Sequence, residues 1–413
     1  MTDTGAKMKS VKEQMDVLMR GVVDVVSAEE LEAKLARSVK TGQPLRVKLG
    51  IDPTGFDLTL GHTVPLRKLK AFQSLGHQVV LIIGDYTGQI GDPTGRNEAR
   101  PQLTHEQTKA YGRHYVDQAA KVIDVSRLEI RYNSEWLAPM NFADVIRLSS
   151  KTTVARMLER DDFSKRYHEG RPISLHEFFY PLMQGQDSVA VRADVELGGT
   201  DQLFNLLMGR ELQRDAGMEP QVCITNPIVE GLDGVEKMSK SKGNYIAVAD
   251  PPEEMYGKAM SIPDSLIIKY LVQFTELPMA EIESLQRSMA EGMNPRDAKM
   301  RLGRELVALY HGPAEAQAAE DHFRTVFQKK DVPDEMPEFH PDPALLEDGA
   351  AGVIQLLLGA GLAASSSEAR RLVSQGGVSV DGEKVADERA TLVLRDGMIF
   401  KVGKRKFARL RLP

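Results

Sequence analysis

The sequence predicts an α/β protein in which a parallel-sheet domain with a helical insert is followed by an α-helical domain and a small α+β domain. Three observations predict this organisation. Strand and helix patterns alternate early in the chain, helical patterns fill the middle, and an acidic, proline-rich stretch precedes the last segment. The 413 residues are enough for two or three domains, each with a sizeable core.

The first strand–helix–strand unit lies within residues 45–85. Its opening strand has an apolar side chain at every second position, namely Leu45, Val47, Leu49 and Ile51. A helix follows from Gly61 to Gly76, and its apolar side consists of Val64, Leu66, Leu69, Phe72 and Leu75. The run "QVVLIIGD" is typical of a buried strand. The unit therefore predicts two parallel strands joined by a right-handed crossover.

Later segments predict the rest of the first domain and the second. Residues 133–190 have mostly helical patterns and form the insert, and "DVELGGTDQLFNLL" returns to a strand followed by a helix. Residues 1–249 are assigned to the first domain on this basis. The helical patterns of residues 250–330 predict a second, α-helical domain.

A linker and a last domain are expected after residue 330. Residues 331–349 contain four prolines and seven acidic residues but no lysine or arginine, a composition that predicts an exposed linker without a core. Residues 350–413 then predict a helix, a turn, a second helix and a strand pair that turns at Asp381–Gly382.

The composition excludes several classes of protein. The apolar content of 42% and charged content of 27% are ordinary for a globular protein, and no apolar run approaches the roughly 20 residues of a membrane-spanning helix. The first residues lack the apolar centre of a secretory signal. A single cysteine, Cys223, excludes an intrachain disulfide and favours a reducing cytoplasm. Nine histidines without a His-x-x-x-His pair argue against a metal site.

The net charge of −6 conceals an uneven distribution. Residues 350–413 contain eleven lysines and arginines against six acidic residues, and the chain ends in the basic run "GKRKFARLRLP". Such a tail attracts phosphate groups by its positive potential. At this stage the same run is equally compatible with a solvated terminus.

Two segments point to phosphate chemistry. In "GIDPTGFDLTLGHTVP", Gly61 allows close backbone approach at the start of a helix, where phosphates bind, and His62 adds a donor. The pattern is neither a Walker A loop nor a dinucleotide fingerprint. In "EKMSKSKGNY", Lys237, Lys240 and Lys242 supply positive charge. Together the segments favour a site that holds a triphosphate while charge moves onto departing pyrophosphate, although a tight turn and a solvated lysine cluster remain alternatives.

Five segments in this order carry a family resemblance: "DPTGFDLTLGH", "IGDPTGR", "YPLMQGQD", "GGTDQ" and "KMSKS". In these segments the sequence resembles the bacterial tyrosyl-tRNA synthetases, which are class I aminoacyl-tRNA synthetases, in the branch that keeps KMSKS intact. The last segment resembles a small RNA-binding domain first seen in a protein of the small ribosomal subunit. The resemblance covers nearly the whole chain outside the acidic linker. It implies a Rossmann-like parallel-sheet catalytic domain, an α-helical domain on the anticodon side and a small α+β RNA-binding domain.

The resemblance implies an ATP site. The segment "TLGH" stands where the class I HIGH signature lies, with Thr59 in place of the first histidine and with Gly61 and His62 in contact with ATP. Lys237 and Lys240 are implied to stabilise the pyrophosphate, which makes them, with His62, the implied catalytic residues. The other implied ATP-binding residues are Gly50, Asp52, Thr54, Gly199, Ser239, Ser241 and Asp201, the last for the adenosine ribose.

The resemblance also implies a tyrosine site. Asp92, Tyr180 and Gln184 match the groups that hold the ammonium group of the amino acid, and Gln202 lies beside its polar groups. Asp187 matches the carboxylate that accepts a hydrogen bond from the phenolic hydroxyl.

One position of the tyrosine site departs from the family pattern. Lys48 stands where many members have a tyrosine as second partner of the substrate hydroxyl. Asp85 and Tyr86 are the two candidates to replace that partner, and the sequence does not choose between them.

The implied reaction uses ATP, accompanied by Mg²⁺, to convert tyrosine to tyrosyl-adenylate and pyrophosphate, and then transfers the tyrosyl group to tRNA. The helical insert resembles the dimer interface of the family, which implies a homodimer. The residues implied to contact RNA are Arg370, Arg371, Lys404, Arg405, Lys406, Arg409 and Arg411.

Three alternative functions remain. A tryptophan synthetase of the same class would share the fold and the lysine loop, although the spacing of "YPLMQGQD" favours a pocket that reads a hydroxyl. A small-molecule nucleotidyltransferase would not need a basic RNA-binding tail. A synthetase-derived protein that only binds RNA or regulates would not need an intact set of His62, Asp201, Lys237 and Lys240.

Overall fold

In the computed structural model, the described residues are 8–52, 58–92, 104–330, 336–343, 346, 349–403 and 406–412. The chain divides into two compact units, Met1–Glu320 and Asp321–Pro413. Among the described residues, no helix combines the length and the apolar character needed to cross a membrane.

The first unit is built on a six-stranded sheet. Its strands are β1 (Asp24–Val26), β2 (Arg46–Ile51), β3 (Gln78–Ile83), β4 (Leu128–Tyr132), β5 (Val195–Gly199) and β6 (Val222–Asn226). They are ordered β1–β6–β5–β2–β3–β4, with β1 antiparallel to β6 and all other neighbours parallel. The predicted parallel α/β sheet is therefore confirmed. The strand order places β2 in the middle, between β5 and β3.

Helices before and around this sheet are α1 (Val11–Leu18), α2 (Ala28–Thr41), α3 (Leu60–Ser74), α4 (Thr87–Ile90), α5 (His105–Ala119), α6 (Ser134–Leu137), α7 (Phe142–Ser149), α8 (Val154–Met157), α9 (Asp161–His168), α10 (Phe179–Ala190) and α11 (Leu203–Asp215). After the sheet follow α12 (Pro252–Ser261), α13 (Ile267–Phe274), α14 (Met279–Ala290), α15 (Pro295–His311) and α16 (Pro313–Lys330). The expected helical character of residues 133–190 and 250–330 is present in these elements.

Packing explains why β2, α3 and β3 form as the sequence predicts. Val47 and Leu49 on one face of β2 are buried, and Lys48 on the opposite face is buried as well, as expected for a parallel sheet covered on both sides. Leu69 and Phe72 of α3 are fully buried. Replacing such a core aromatic residue with alanine typically costs about 3–5 kcal/mol.

Two helices that carry candidate site residues, α10 and α11, pack closely because glycines face the contact. A Cβ atom added at Gly185 of α10 would lie 2.8 Å from a methyl group of Leu212 and 3.3 Å from the backbone nitrogen of Gly209. This close packing fixes the side chains of α10 relative to those of α11 and to the end of β5.

After the end of α16, the described residues of the second unit form two helices and two small sheets. Its elements are β7 (Glu338–Phe339), β8 (Ala350–Gly352), α17 (Val353–Gly359), α18 (Ser366–Ser374), β9 (Val378–Val380), β10 (Glu383–Lys384), β11 (Thr391–Val393), β12 (Ile399–Val402) and β13 (Lys406–Leu410). One sheet has the order β10–β9–β12–β13–β7, and β8 pairs with β11. The expected turn joins β9 to β10, with positive φ angles of 50° at Asp381 and 88° at Gly382.

The proline-rich stretch differs from the expectation of an exposed linker at one place. Glu338–Phe339 forms β7, which pairs in parallel with β13. Phe339 is buried in the core of the second unit, where its ring packs edge-on against Phe400 at 5.5 Å. The burial of Phe339 and the pairing of β7 with the edge strand β13 order this short segment, although the residues around it are acidic and rich in proline.

Candidate active site

The candidate site lies at the carboxyl ends of the parallel strands, where ligands bind in open α/β sheets. Gly50 and Asp52 stand at the end of β2, and Gly199 ends β5. Among the described residues other than its chain neighbours, none has an atom within 4 Å of a Cβ added at Gly50, so the described part of the chain leaves open space before the backbone there. The end of β2 therefore leaves room for a ligand to approach closely.

His62 is held at the start of α3 by Thr59. The backbone N–H of Thr59 donates to Nδ1 of His62 at 3.2 Å, and the Thr59 hydroxyl lies 2.8 Å from the same nitrogen. An Nδ1 atom that accepts leaves the proton of a neutral ring on Nε2. Because Thr59 is fully buried and its hydroxyl faces His62, it orients the histidine and does not itself face a ligand.

The protonation state of His62 is set by its surroundings. As a residue His62 is exposed to solvent, while its imidazole lies among protein atoms that remove part of its hydration. This desolvation, together with the positive charges of Lys240 and Lys237, lowers the pKa of His62 below its usual value. Both causes act in the same direction and favour a neutral imidazole at pH 7.

The lysine loop, residues 236–245, lies directly on the start of α3. The sulfur of Met238, a buried side chain, accepts a hydrogen bond from the backbone N–H of Gly61 at 3.3 Å. The chain after the loop runs antiparallel to the residues before α3, with a bridge between Thr59 and Ala247. The two segments expected to meet at phosphate groups are therefore adjacent.

Asn244 fixes the shape of the lysine loop. Its side-chain oxygen accepts from the backbone N–H of Ser239 at 2.9 Å, and its amide nitrogen donates to Asp233 at 2.6 Å and to the carbonyl of Lys237 at 3.3 Å. Asn244 is buried among these partners. It was not identified from the sequence, because its role depends on the loop folding back on itself.

The lysines of the loop have different partners. Lys237 forms an ion pair with Asp201 at 3.1 Å, and Lys242 forms one with Glu236 at 2.8 Å. The hydroxyl groups of Ser239 and Ser241 lie 2.9 Å apart. Lys237 lies at Asp201, the carboxylate expected to bind ribose, and Lys240 adds positive charge near His62. This end of the cleft is therefore suitable for an anion.

A chain of side-chain amides crosses the cleft next to the end of β5. The side-chain nitrogen of Gln202 donates to Asp92 at 2.7 Å, and Arg160 approaches the other oxygen of Asp92 at 3.1 Å. Asn205 donates to the side-chain oxygens of Gln184 at 2.9 Å and of Gln202 at 3.1 Å. The structure thus links Asp92 and Gln184, two of the three residues expected to hold an ammonium group, through Asn205 and through Gln202, which was expected beside the polar groups of the amino acid.

Tyr180 and Asp52 join the ends of α10 and β2. The phenolic hydroxyl of Tyr180 donates to Asp52 at 2.7 Å, and the hydroxyl of Thr87 donates to its other oxygen at 2.7 Å. Burial and the nearby carboxylate of Asp52 raise the pKa of Tyr180, so the phenol stays protonated. Since its hydrogen points to Asp52, the oxygen of Tyr180 can accept from a donor in the cleft.

Asp187 is a buried carboxyl group within hydrogen-bond reach of two donors. The indole N–H of Trp136 donates to it at 2.8 Å, and the side chain of Asn133 approaches it at 3.4 Å. Burial raises the pKa of Asp187 to about 7, although the positive charge of Lys48 and the two donors act in the opposite direction. Asp187 therefore changes its protonation state near neutral pH.

Lys48 does not face the cleft as a hydroxyl partner would. Its ammonium group is fully buried and forms an ion pair with Glu196 at 2.9 Å. Asp85 is also buried, and it accepts from the backbone and the hydroxyl of Ser134 at 3.0 and 2.6 Å. The backbone N–H of Tyr86 donates to Asn133 at 3.0 Å.

Several expected site residues lie outside the described part of the chain. These are Thr54, Lys404, Arg405 and the residues of "IGDPTGR" after Asp92. In the second unit, Arg370 and Arg371 are exposed on α18, and Lys406 is exposed at the start of β13. Arg409 is partly buried on the same strand.

Arg411 differs from the other basic residues expected to contact RNA. It forms ion pairs with Glu338 at 2.8 Å and with Asp396 at 3.5 Å. Two neighbouring carboxylates neutralise its charge within the second unit. Its guanidinium therefore offers less attraction to a phosphate than the exposed arginines of α18.

Sequence reasoning missed Glu196, Asn205, Trp136, Asn133 and Arg160. Glu196 had a detectable signal, because it lies between Val195 and Leu197 in a strand that is otherwise apolar, and a charge at such a position needs a partner. The other four have ordinary surroundings in the sequence. Their roles depend on contacts between elements far apart in the chain. Among the described residues, no group of three or more His, Cys, Asp or Glu side chains is arranged to hold a metal ion.

Comparison with known families gives two matches that together span most of the chain. A family model described as "tRNA synthetases class I (W and Y)" matches residues 40–328. A second, described as "Tyrosine--tRNA ligase SYY-like C-terminal domain", matches residues 329–410.

Individual relatives agree with these matches. The chain is 65% identical over 404 residues to a tyrosine--tRNA ligase of Symbiobacterium thermophilum, covering 98% of both chains. It is 55% identical to a tyrosine--tRNA ligase of Thermotoga maritima, covering 97% of both.

Solved structures resemble the fold. A C-terminally truncated mitochondrial tyrosyl-tRNA synthetase of Aspergillus nidulans superposes with a TM-score of 0.62 at 26% identity, covering 78% of this chain and 95% of that one. A tyrosyl-tRNA synthetase of Archaeoglobus fulgidus complexed with L-tyrosine gives 0.61 at 25% identity, covering 75% and 99%.

Proposed function

We propose that this chain, which belongs to the class I tRNA synthetases for tryptophan and tyrosine, joins L-tyrosine to tRNA(Tyr) with ATP. The relatives that match it over nearly its whole length are tyrosine--tRNA ligases. The observation that carries the choice of tyrosine is Asp187, a buried carboxyl group held by Trp136. Phenylalanine carries no donor to pair with such an acceptor. Tryptophan carries an indole N–H, which is a donor, so the choice of tyrosine over tryptophan is supported by the relatives, which are tyrosine--tRNA ligases. An unpaired acceptor buried by the wrong side chain costs about 1–3 kcal/mol, and more when it is charged.

The amino acid binds with its phenol towards Asp187 and its ammonium group towards Asp92. Tyr180 and Gln184 supply neutral oxygen acceptors for the same ammonium group, and Gln202 lies beside it. The hydrogen bonds of these side chains to Asp52, Asn205 and Asp92 support the assignment, because they hold each acceptor before the substrate arrives.

ATP binds between the end of β2, the start of α3 and the lysine loop. The open space before Gly50, the N-terminus of α3 at Gly61 and the Nε2–H donor of His62 support this position. The ribose hydroxyl groups bind Asp201 beside Gly199. Lys237 is paired with Asp201, so a ribose that binds this carboxylate competes with the lysine for it, and Lys237 then turns to the phosphates.

Adenylate formation is an in-line displacement. A carboxylate oxygen of tyrosine attacks the α-phosphorus, and the bond from that phosphorus to the bridging oxygen of pyrophosphate breaks. Lys237, Lys240 and His62 stabilise the negative charge that moves onto the pyrophosphate, with Ser239 and Ser241 beside them. The rate derives from positioning and from cations placed where charge develops.

Magnesium accompanies ATP as part of the substrate. In this role the phosphate oxygens hold the ion, and Mg²⁺ keeps much of its water shell. The protein side of the site is cationic, through Lys237 and Lys240, and complements the same phosphates.

In the second step a ribose hydroxyl at the 3′ end of the tRNA attacks the tyrosyl carbonyl and displaces AMP. We assign residues 1–249 to catalysis, 250–330 to the anticodon side, 331–349 to a linker and 350–413 to RNA binding. The exposed side chains of Arg370, Arg371 and Lys406 support an RNA contact there. Arg409 lies on the same strand as Lys406, and the basic residues Lys404 and Arg405 precede Lys406 in the sequence.

The insert supports a homodimer. It exposes several large apolar side chains, which single-chain proteins seldom gather on one segment: Phe142, Ile146, Val154, Tyr167 and Leu175. A second copy of this chain would cover them. The free, buried thiol of Cys223 and the place of tRNA charging in translation support a cytoplasmic location.

The proposed function is tested by charging tRNA. The purified protein is incubated with ATP, Mg²⁺, bacterial tRNA and labelled tyrosine, phenylalanine or tryptophan in parallel. We expect label in the acid-precipitable RNA with tyrosine alone. Charging with tryptophan would overturn the proposed substrate. If none of the three amino acids becomes attached to tRNA, the proposed function is overturned.

A further inference from the structure

Lys48 and Glu196 form a buried ion pair below the proposed tyrosine site. They are direct partners across the parallel strands β2 and β5, and both side chains are fully buried. The ammonium group of Lys48 contacts Glu196 at 2.9 Å, the hydroxyl of Ser188 at 2.7 Å and the backbone carbonyl of Gln184 at 3.0 Å. These three acceptors use all three hydrogens of the ammonium group. Lys48 is therefore committed within the protein and does not donate to a substrate.

Glu196 is the centre of this network. One of its carboxylate oxygens receives Lys48 and the side-chain amide of Gln184, the latter at 3.1 Å. The other receives the hydroxyl of Ser188 at 3.0 Å and the side-chain amide of Gln221. An ionised carboxylate only accepts hydrogen bonds. Gln184 must therefore turn its NH₂ group towards Glu196 and its carbonyl oxygen away from it.

The direction imposed on Gln184 continues along the amide chain. Its carbonyl oxygen accepts from Asn205, which also donates to the carbonyl oxygen of Gln202. The NH₂ group of Gln202 in turn donates to Asp92. Carboxylates at both ends of the chain, Glu196 and Asp92, thus set the orientation of each amide between them.

We propose that Glu196, paired with Lys48, is a positioning residue that orients the amide of Gln184 so that its carbonyl oxygen accepts from the ammonium group of the amino acid. The inference rests on the proposed function, because it takes tyrosine to bind with its ammonium group at Gln184 and Asp92. Glu196 touches no substrate and acts through Gln184. A carbonyl oxygen has two lone pairs, so it accepts from Asn205 and from the ammonium group together.

The direction of the amide has a clear consequence for affinity. A neutral glutamine at position 196 both donates and accepts, and it no longer dictates which end of the Gln184 amide faces the cleft. In the reversed orientation an NH₂ group of Gln184 would point at the substrate ammonium and repel it. Binding of any ligand with the phenol but without the ammonium group would not depend on this choice.

The test compares two ligands in ATP–pyrophosphate exchange. Glu196→Gln is paired with the double variant Lys48→Met/Glu196→Gln, which leaves no unpaired buried lysine. The KM for tyrosine is measured beside the inhibition constant of 3-(4-hydroxyphenyl)propanoate, which lacks the ammonium group. The control is Glu177→Gln, which removes a carboxylate of similar burial whose hydrogen bonds go to Arg166 at 2.6 Å and to the backbone of Ser174 at 2.9 Å and not to the amides of the chain.

We expect both Glu196 variants to raise the KM for tyrosine about 10- to 100-fold, while the inhibition constant of the analogue changes less than about twofold. Glu177→Gln should leave both constants unchanged. Equal weakening of both ligands would assign Glu196 a structural role only, and an unchanged KM would contradict the proposal outright. Failure of the unmodified protein to catalyse tyrosine-dependent exchange would instead contradict the proposed function.

Discussion

The sulfur of Met238 accepts a hydrogen bond from the backbone N–H of Gly61 at 3.3 Å, which joins the lysine loop to the first turn of α3. Both segments are loops or helix ends that could otherwise separate. Their contact puts Lys237 and Lys240 on the same side of the cleft as His62, whose pKa they lower. The loop is therefore already positioned for the charge that develops on pyrophosphate.

Lys240→Ala should slow adenylate formation by about 10²–10³-fold while leaving tyrosine affinity nearly unchanged, because the lysine acts on charge that appears only in the transition state. Lys242→Ala is the matched control, since Lys242 belongs to the same loop but is paired with Glu236 on the surface. Single-turnover adenylate formation and equilibrium binding of tyrosine measure the two effects. A comparable loss of tyrosine affinity would contradict the role given to Lys240.

Use of tyrosine should depend on pH through Asp187. Because its pKa is raised to about 7, the carboxyl group keeps its proton below that pH, and the protonated form is the weaker acceptor for a phenol. We expect kcat/KM for tyrosine to fall by up to tenfold per pH unit below pH 7 and to level off above it. The charged groups nearby are Lys48 and Glu196, which form a buried ion pair with each other.

Asp187→Asn is the control for that pH dependence. Its amide does not titrate, so the profile should be flat between pH 5.5 and 8, values chosen to bracket about 7, and the preference for tyrosine over phenylalanine should shrink. A sloping profile in this variant would assign the titration to another group.

Gly84→Ala should weaken tyrosine binding and destabilise the fold. A Cβ atom at this position would lie 1.9 Å from the carboxylate of Asp52 and 2.3 Å from the hydroxyl of Thr87, so Asp52 must move away from Tyr180. Overpacking of this kind costs about 1–3 kcal/mol. Gly257→Ala in α12, where a Cβ would meet nothing within 4 Å, should be neutral or slightly stabilising. Thermal unfolding and titration with tyrosine measure both effects in both variants. If the two variants have the same unfolding temperature and the same affinity for tyrosine, the predicted clash of a Cβ at position 84 with Asp52 and Thr87 is contradicted.

Truncation after residue 330 should separate the two steps of the reaction. This cut removes the sheet of the second unit together with β7, whereas a cut at 350 would leave Phe339 exposed without its core. Amino-acid activation should stay within about twofold, and charging of tRNA should fall at least tenfold as phosphate contacts are lost. If activation falls equally, the second unit is needed for the catalytic fold.

Phe142→Asp/Leu175→Asp should convert a dimer to a monomer. These side chains are 79% and 78% exposed on the insert, and charged groups there would oppose burial against a second copy. Val393→Asp is the matched control, being 72% exposed in the second unit. Sedimentation of the unmodified protein as a monomer, or of the double variant as a dimer, would contradict this interface.

The sequence predicted most of the fold where periodicity was strong. The period of two in β2 and the apolar side of α3 reflect burial of these elements, which were therefore placed within about two residues of their observed bounds. The three-residue strand β1 left no periodic signal, and it exists because it pairs with β6. Phe339 was missed for a related reason, since its burial depends on β13 and not on its neighbours in sequence.

The candidate site was predicted through ordered motifs, and these could not reveal how residues combine. Lys48 was expected at the phenol, but its actual partner is Glu196, which comes into contact only when β2 and β5 pair in register. Thr59 was predicted at ATP, and its contact with Nδ1 of His62 was not foreseen. Such pairings arise from tertiary structure. Only the pairing of Lys48 with Glu196 had a signal in the sequence, because each is a charged residue within an otherwise apolar strand and the two charges are opposite.

The most direct test of the central claim is amino-acid-dependent exchange of labelled pyrophosphate into ATP, measured without RNA for each of the twenty amino acids. The proposed site predicts exchange with tyrosine and none above background with phenylalanine or tryptophan. Exchange with tryptophan would contradict the role of Asp187 as the reader of a hydroxyl group, and the absence of exchange with any amino acid would contradict catalysis by this site.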